Sequence, residues 1–321
     1  MGTPQRQVLV TGATGFVGRH VVRALVEKGM RVRALAHKPG REHVVVGQDV
    51  EVVHASVSDA AGLKSAMDGV DGVVHLVAII REEGEQTFDS VNHLGTARVV
   101  EAAREASVRR YVQMSAIGAI DDPGLAYLQS KWRGEQAVVQ SGIPYTILRG
   151  SIFFGEGDEF VNMLAGLVKA LPLVPIAGSG GSMFQPLHVQ DVARCLAEAL
   201  ALDEVAGQTV EIGGPDHLTY DQIIDTIIAT FGHKRWKAHL PLRLMRIVVG
   251  LMEKTLPRPP ATLHQLDMLA IDNIAELSVV ERAFGFTPRP LEGNIDYIRQ
   301  ISLADGLKML LGFMPRRIRD H

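Results

Sequence analysis

Three groups of residues in this chain have the types and spacing to do chemistry. The first is Thr11-Gly12-Ala13-Thr14-Gly15-Phe16-Val17-Gly18. It follows the apolar run Val8-Leu9-Val10 and precedes Val21, Val22, Leu25 and Val26, which recur at helical spacing. A strand, a glycine-rich turn and a helix start make an anion-binding device. Backbone N–H groups and the helix dipole converge on a diphosphate, and the glycines let it come close. The flanking strand and helix favour this over a plain tight turn. The second group is Tyr127 and Lys131, one turn apart on one face if the stretch is helical. A phenol titrates near pH ~10 in water, and an ammonium close by would favour phenolate and lower that value. Such a tyrosine exchanges a proton with a carbonyl or alcohol oxygen, and the lysine can also hold a ribose hydroxyl. Alone, the pair would be an ordinary solvated helix pair. The third member is Ser115, directly after the strand-like Tyr111–Met114, where a hydroxyl would hold a substrate oxygen against Tyr127.

These groups need elements to position them. Strand-like runs fall at Arg31–Ala36, Val50–His54, Gly72–Ala78, Arg110–Met114 and Pro144–Leu148. Helical stretches lie between, near Gly18–Lys28, Ala60–Met67, Ser90–Ala106 and Tyr127–Gln140. Apolar strands separated by helices predict an α/β fold, a doubly wound parallel sheet with helices on both faces. Gly29, Gly69 and Gly142 stand where helices should end, and Asp59 where one should be capped. The expected division is a nucleotide-binding part at 1–150 and a smaller substrate lobe with a helical tail at 151–321, interleaved with the first. In the second part a helix is expected at Phe160–Ala170 and a strand at Phe184–Val189. Asp191 would cap a helix at Val192–Leu202. A strand at Thr209–Ile212 follows, and then Thr219 would cap a helix at Tyr220–Phe231. This smaller lobe is expected over the sheet's C-terminal edge, where a doubly wound fold takes its ligand.

Composition bounds the partners. The 321 residues are 46% hydrophobic with a net charge of −3, and no basic block dominates, so nucleic acid is excluded as the main partner. Cys195 is alone and has no partner for an internal disulfide. No metal site is expected. Met1–Gln7 lacks a signal peptide's apolar core, and no run of ~18 uncharged apolar residues exists. A cytoplasmic location, or a peripheral one on the inner face of a membrane, is therefore expected. Leu242–Met252 is apolar apart from two arginines, and the tail from Leu303 to Met314 ends in Pro315-Arg316-Arg317-Ile318-Arg319. Apolar helices with basic flanks either lie on an anionic membrane surface or pack on their own lobe or a partner protein.

Cofactor choice is read at the end of the second strand, Leu35-Ala36-His37-Lys38-Pro39-Gly40-Arg41. Sites that prefer NAD place Asp or Glu there for the ribose hydroxyls. This chain offers His37, Lys38, Arg41 and, nearby, Arg19, a set of donors suited to a 2′-phosphate. NADP is the expected cofactor, with NAD the alternative.

From residue 6 to about 230 the chain resembles the short-chain dehydrogenase/reductase superfamily, whose nucleotide-binding domain is a Rossmann fold. The resemblance rests on the glycine-rich turn, Val91-Asn92-His93-Leu94-Gly95-Thr96, Met114-Ser115-Ala116 and the Tyr127/Lys131 pair. His188-Val189-Gln190-Asp191-Val192-Ala193 and Ile212-Gly213-Gly214-Pro215 resemble motifs of the extended branch. It implies Ser115, Tyr127 and Lys131 at catalytic positions, with Asn92 seating the lysine or a water. The alternative for Asn92 is a helix-kink or capping residue. Gly12, Thr14, Gly15, Phe16, Val17, His37, Lys38, Arg41, Ser56, Val57, Leu76, Val77, Ala78, Met114, Tyr127, Lys131, Gly150, Ser151 and Ile152 are the implied cofactor contacts. Leu148–Asp158, Leu256-Pro257-Arg258-Pro259-Pro260 with Asp272-Asn273, and Phe284–Pro290 resemble more closely the group around the NADPH-binding accessory subunit of respiratory complex I.

There are departures. Gly150 stands where many relatives have proline, and Ala55-Ser56 where they often have Gly-Asp, leaving Ser56 or the Val57 backbone to meet adenine. The gap of twelve residues between Ser115 and Tyr127 is about half that of sugar-nucleotide epimerases, and Ala116-Ile117 replaces the acidic pair of sugar dehydratases. The expected function is a dehydrogenase-like oxidoreductase moving hydride between nicotinamide and a carbonyl, alcohol or quinone-like small molecule. The first alternative is a non-catalytic accessory or assembly subunit of a respiratory membrane complex. The second is a sugar-nucleotide epimerase.

Overall fold

The computed structural model describes residues 6–37, 40, 42–45, 50–256, 259–269 and 271–319. In chain order its main elements begin β1 (Gln7–Thr11), α1 (Phe16–Glu27), β2 (Arg31–Ala36), β3 (Val50–His54), α2 (Ala60–Ala66), β4 (Gly72–His75) and α3 (Leu94–Glu105). They continue β5 (Arg110–Ala116), α4 (Ala126–Val139), β6 (Tyr145–Gly150), β7 (Phe153–Phe154), α5 (Phe160–Ala170), β8 (Leu173–Ala177), β9 (Met183–Phe184), β10 (Leu187–His188) and α6 (Val189–Ala199). After these come β11 (Gln208–Ile212), β12 (Leu218–Thr219), α7 (Tyr220–Phe231), β13 (Trp236–Leu240), α8 (Leu242–Thr255), α9 (Leu263–Met268), α10 (Val279–Phe284), α11 (Leu303–Leu310) and α12 (Arg316–Arg319).

The chain makes two compact units. The first comprises Met1–Gly150, Val189–Ile212 and Val279–Phe286. It is built on a seven-stranded sheet in the order β11-β6-β5-β4-β1-β2-β3, every pair parallel. The apolar runs form strands because a parallel sheet covered on both faces buries them from either side. Leu9, Val73, Tyr111 and Ile147 pack against Leu63 of α2, Val99 of α3 and Val138 of α4. Helix ends follow local chemistry. Gly29 takes φ +74°, and its N–H closes α1 on the Val26 carbonyl at 2.8 Å. The Asp59 carboxylate accepts from Gly62 N at 3.0 Å and caps α2.

The sheet order reverses between β1 and β4. Strands β1, β2 and β3 run one way from that seam, and β4, β5 and β6 the other. Such a switch point leaves a crevice at the strands' C-terminal ends. The register sets Thr11 opposite His75 there. β4 is shorter than its apolar run, because Leu76, Val77 and Ala78 leave the sheet. The departing chain finds other partners: Leu76 N–H donates to the Thr11 carbonyl, and both backbone groups of Ile79 bond the Asn92 side chain. The helix expected at Ser90–Ala106 opens instead with a π turn at Asp89–His93.

The second unit comprises Ser151–His188, Gly213–Ser278 and Thr287–His321. Its core gathers Phe154, Val161, Ile176, Tyr220, Ile224 and Ile298. The strand expected at Phe184–Val189 is two short ones, β9 and β10. Pro186 between them has no N–H for a ladder, and the buried Gln185 side chain bonds the Gly214 carbonyl and Ala275 N–H. α6, which belongs to the first unit, begins at Val189, so Asp191 lies within its first turn rather than before it. The parallel pair β8–β13 was not anticipated from the sequence. α7 is capped by Thr219 in a capping box with Gln222, as its sequence implies. α11 lies against α5 so closely that a Cβ on Gly306 would sit 2.7 Å from the Gly166 carbonyl, and Met309 packs on Gly166. Among the described residues no helix is long and apolar enough to cross a membrane.

Candidate nucleotide and catalytic site

The glycine-rich turn joins β1 to α1. Gly12 has φ +71°, and a Cβ there would sit 3.2 Å from Leu76 C and Val77 N, so the chain leaving β4 lies directly against it. A Cβ on Gly18 would meet the Gly12 carbonyl and come within 2.7 Å of Ala13 Cα, so α1 can fold back on the turn only with glycine at 18. Gly15 is the extended N-cap of α1; no side chain caps this end, and no acidic residue occupies the first turn. The first-turn N–H groups are thus left for a ligand of negative charge. Thr14, Phe16 and Val17 are half-buried around the turn, and the Arg19 guanidinium stands 5.9 Å from the Phe16 ring.

Beneath the turn runs a buried polar chain that the sequence did not announce. The Thr96 hydroxyl donates to the Asn92 carbonyl at 2.7 Å. Its proton so used, it accepts from His75 Nε2 at 3.1 Å, which leaves His75 Nδ1 to accept from the Thr11 hydroxyl at 2.6 Å. Burial, with a smaller contribution from the Lys131 charge, pushes His75 down to about 3, so the ring is neutral and this tautomer holds. The chain ties the end of β1 to the π turn carrying Asn92. Asn92 itself grips Ile79 on one side and donates to Ser130 Oγ of α4 at 3.1 Å on the other. Gly134 allows this closeness, since a Cβ there would lie 2.8 Å from the Asn92 carbonyl. A π turn is a common device for aiming such a side chain.

β5 and α4 bring Ser115, Tyr127 and Lys131 into one region of the first unit. Ser115 Oγ is buried at the C-terminal end of β5 with no hydrogen-bond partner, a position that invites a ligand oxygen. Lys131 is buried and its ammonium donates to the Met114 carbonyl at 2.8 Å. Tyr127 is half-buried, its ring edge-on to Phe88 at 5.7 Å. The electrostatics differ from the simple expectation. Burial pushes the Tyr127 phenol up to about 12 rather than down, and pushes Lys131 down to about 8. Desolvation is the cause of the phenol's rise, and the Tyr127 hydroxyl keeps its proton at neutral pH.

A further pair stands behind Lys131. Glu135, one turn along α4, receives Arg149 of β6 in a bidentate bridge at 2.9 and 2.7 Å. Their side chains are 3% and 22% exposed, and Arg149 also reaches Glu211 at 3.6 Å. Glu135 is the charge that holds Lys131 up against burial. Sequence reading missed this pair. Its signal was present only as the i, i+4 spacing from Lys131 and the register of Arg149 beside Ser115.

The remaining expected contacts fall as follows. Leu76 and Val77 are half-buried and Ala78 exposed, along the chain that crosses Gly12. His37 is exposed at the end of β2, while Lys38 and Arg41 lie outside the described residues. Ser56 Oγ pairs with Ser58 Oγ at 2.8 Å, and Val57 packs on the first unit's core. Gly150 ends β6, its carbonyl accepting from Ile117 N at 3.0 Å. Ser151 and Ile152 belong to the second unit, where Ser151 Oγ donates to the Asn273 carbonyl at 2.7 Å.

A parallel sheet with a switch point, a glycine-rich turn and an uncapped helix start above it define a dinucleotide-binding protein. The chain belongs to the NAD dependent epimerase/dehydratase family, whose model matches residues 8–213. It is 28% identical over 279 residues to subunit 9 of the NADH dehydrogenase (ubiquinone) 1 alpha subcomplex of Arabidopsis thaliana, a mitochondrial protein, covering 84% of this chain and 69% of that one. It is 32% identical over 212 residues to the ceramide reductase of Caulobacter vibrioides, covering 64% of this chain and 66% of that one. The fold is also that of MoeE5 in complex with UDP-glucose and NAD, with a TM-score of 0.68 and 21% identity over 95% of this chain and 97% of that one.

Proposed function

We propose that this protein is an NADP(H)-dependent reductase acting on a carbonyl of an apolar, lipid-like or quinone-like small molecule. The observation that carries the proposal is the buried, unpartnered Ser115 hydroxyl beside a lysine-tied helix that presents a neutral tyrosine. The diphosphate would sit on the N–H groups of the Gly12–Val17 turn. His37, with Lys38, Arg41 and Arg19, would meet the 2′-phosphate, since β2 ends without a carboxylate. When bound, the nicotinamide supplies hydride. Ser115 donates a hydrogen bond to the substrate oxygen and fixes it. Tyr127, protonated up to about pH 12, delivers its proton to that oxygen, which suits reduction better than abstraction from an alcohol. Lys131 holds the ribose with the donors not used on Met114, and Asn92 keeps α4 in place through Ser130. Ceramide reductase, as a named relative, supports reduction of a lipid-like substrate.

The test is NADPH oxidation with a panel of quinones and long-chain ketones, comparing wild type with Tyr127→Phe. A catalytic phenol should give a loss of about 10²–10⁴-fold in kcat with cofactor affinity unchanged. Equal slow rates for both proteins on every substrate would refute the reading. A second reading would then stand, a nucleotide-stabilised accessory subunit, which the resemblance to the NADH dehydrogenase subunit supports.

A further inference from the structure

α8 carries its polarity the wrong way round for a surface helix. At 100° per residue Leu244, Ile247, Val248 and Leu251 fall within one arc of about 100°. That arc looks outward: these side chains are 45%, 69%, 37% and 62% exposed. Two of the charged residues, Arg246 and Glu253, point the other way, while Thr255 at the helix end is the one polar residue on the arc. Arg246 pairs with Asp267 of α9, and the Glu253 carboxylate accepts from Leu263 N of α9 at 3.1 Å. Val249 alone on the helix is buried. A monomer seldom leaves a contiguous apolar stripe of this kind in water.

The borders of the stripe identify what covers it. Arg243 and Lys254 line one edge, and no Asp or Glu lies on the outward arc. Long basic side chains beside an apolar stripe set their stems in an acyl boundary and their charges among anionic headgroups. A second copy of the same face would set these cations against each other, which disfavours self-association.

We propose that the second unit docks on an anionic phospholipid surface through the outward stripe of α8, lying in the plane of the interface. No span is involved. The proposal is independent of turnover and holds whether the chain is a reductase or a subunit.

The experiment is flotation of the full-length protein with vesicles of phosphatidylcholine and phosphatidylglycerol at 7:3, and with phosphatidylcholine alone. Wild type should float with the mixed vesicles, bind pure phosphatidylcholine about tenfold more weakly or less, and lose binding as salt rises. Ile247→Glu/Leu251→Glu should weaken binding by about tenfold or more. Both sites are exposed, so the variant should keep its circular dichroism and its melting shift with NADPH. Arg243→Gln/Lys254→Gln should weaken binding only to the mixed vesicles. α11 exposes Leu303 and Leu307, with Leu311 at its C-cap in line with them, and serves as the comparison. Unchanged flotation of the α8 double variant would overturn the proposal, as would loss of flotation with Leu307→Glu while the α8 variants still bind. A lipid-free dimer that the α8 variant dissociates would also overturn it, in favour of a second copy of the chain.

Discussion

Replacing Glu135 by glutamine tests whether the carboxylate behind Lys131 works by charge. The change keeps the side-chain volume but removes the negative charge and one of the two oxygens that accept from the Arg149 guanidinium. Breaking a buried pair from one side costs roughly 3–5 kcal/mol. Arg149 is partly exposed and retains Glu211, so the lower end applies, about 3 kcal/mol at pH 7. The second effect is on Lys131. Its native value of about 8 lies below the ordinary 10.5, so the folded protein binds fewer protons than the unfolded chain between those values. The penalty for holding the charge, about 3 kcal/mol, is therefore complete below pH 8 and fades as pH rises towards 10.5. Glu135 limits that penalty. Without it the native value falls below 8, the penalty deepens at neutral pH and the cation is lost earlier. Urea unfolding from pH 6 to 10.5 should show a deficit for Glu135→Gln that is largest at the pH 6 end, where Lys131 is charged in both proteins, and narrows as pH rises through 8. NADPH affinity, measured by fluorescence titration, should fall with pH around a midpoint near 8 in wild type and at a lower pH in the variant. Equal unfolding free energies, or an unmoved midpoint, would refute the argument.

Other outcomes follow from the same geometry. NADPH should raise the melting temperature more than NADH, since saturation at ~100 times the dissociation constant adds about 2.7 kcal/mol for the cofactor that binds better; equal shifts would remove the 2′-phosphate site. Gly18→Ala should abolish NADPH retention on gel filtration, because its methyl would collide with the Gly12 carbonyl and open the turn. Asp158 is buried in the second unit and accepts from Tyr297 Oη at 2.7 Å and from Val161 N at 2.6 Å. Asp158→Ala leaves these donors unpaired and should cost about 2–4 kcal/mol in urea unfolding without changing NADPH affinity.

Much of the first unit was legible because its signals are local. The β1–turn–α1 pattern, the strands Arg31–Ala36 and Val50–His54, the cap at Asp59 and the helix stop at Gly29 depend on neighbours a few residues away. So does the i, i+4 spacing of Tyr127 and Lys131, which needs only that α4 be a helix. Local pattern could not say where those side chains find partners. That Lys131 turns to the Met114 carbonyl, that Glu135 and Arg149 meet from α4 and β6, and that His75 links Thr11 to Thr96 all depend on strand order and register. The sign of the Tyr127 shift was decided likewise, because desolvation is a property of packing and not of spacing. The apolar run Leu242–Met252 was plain in the sequence, but its period marks a stripe without saying whether protein covers it. Only the packing of α8 on α9 decided that Arg246 and Glu253 are engaged within the unit and that Leu244, Ile247, Val248 and Leu251 are left outside.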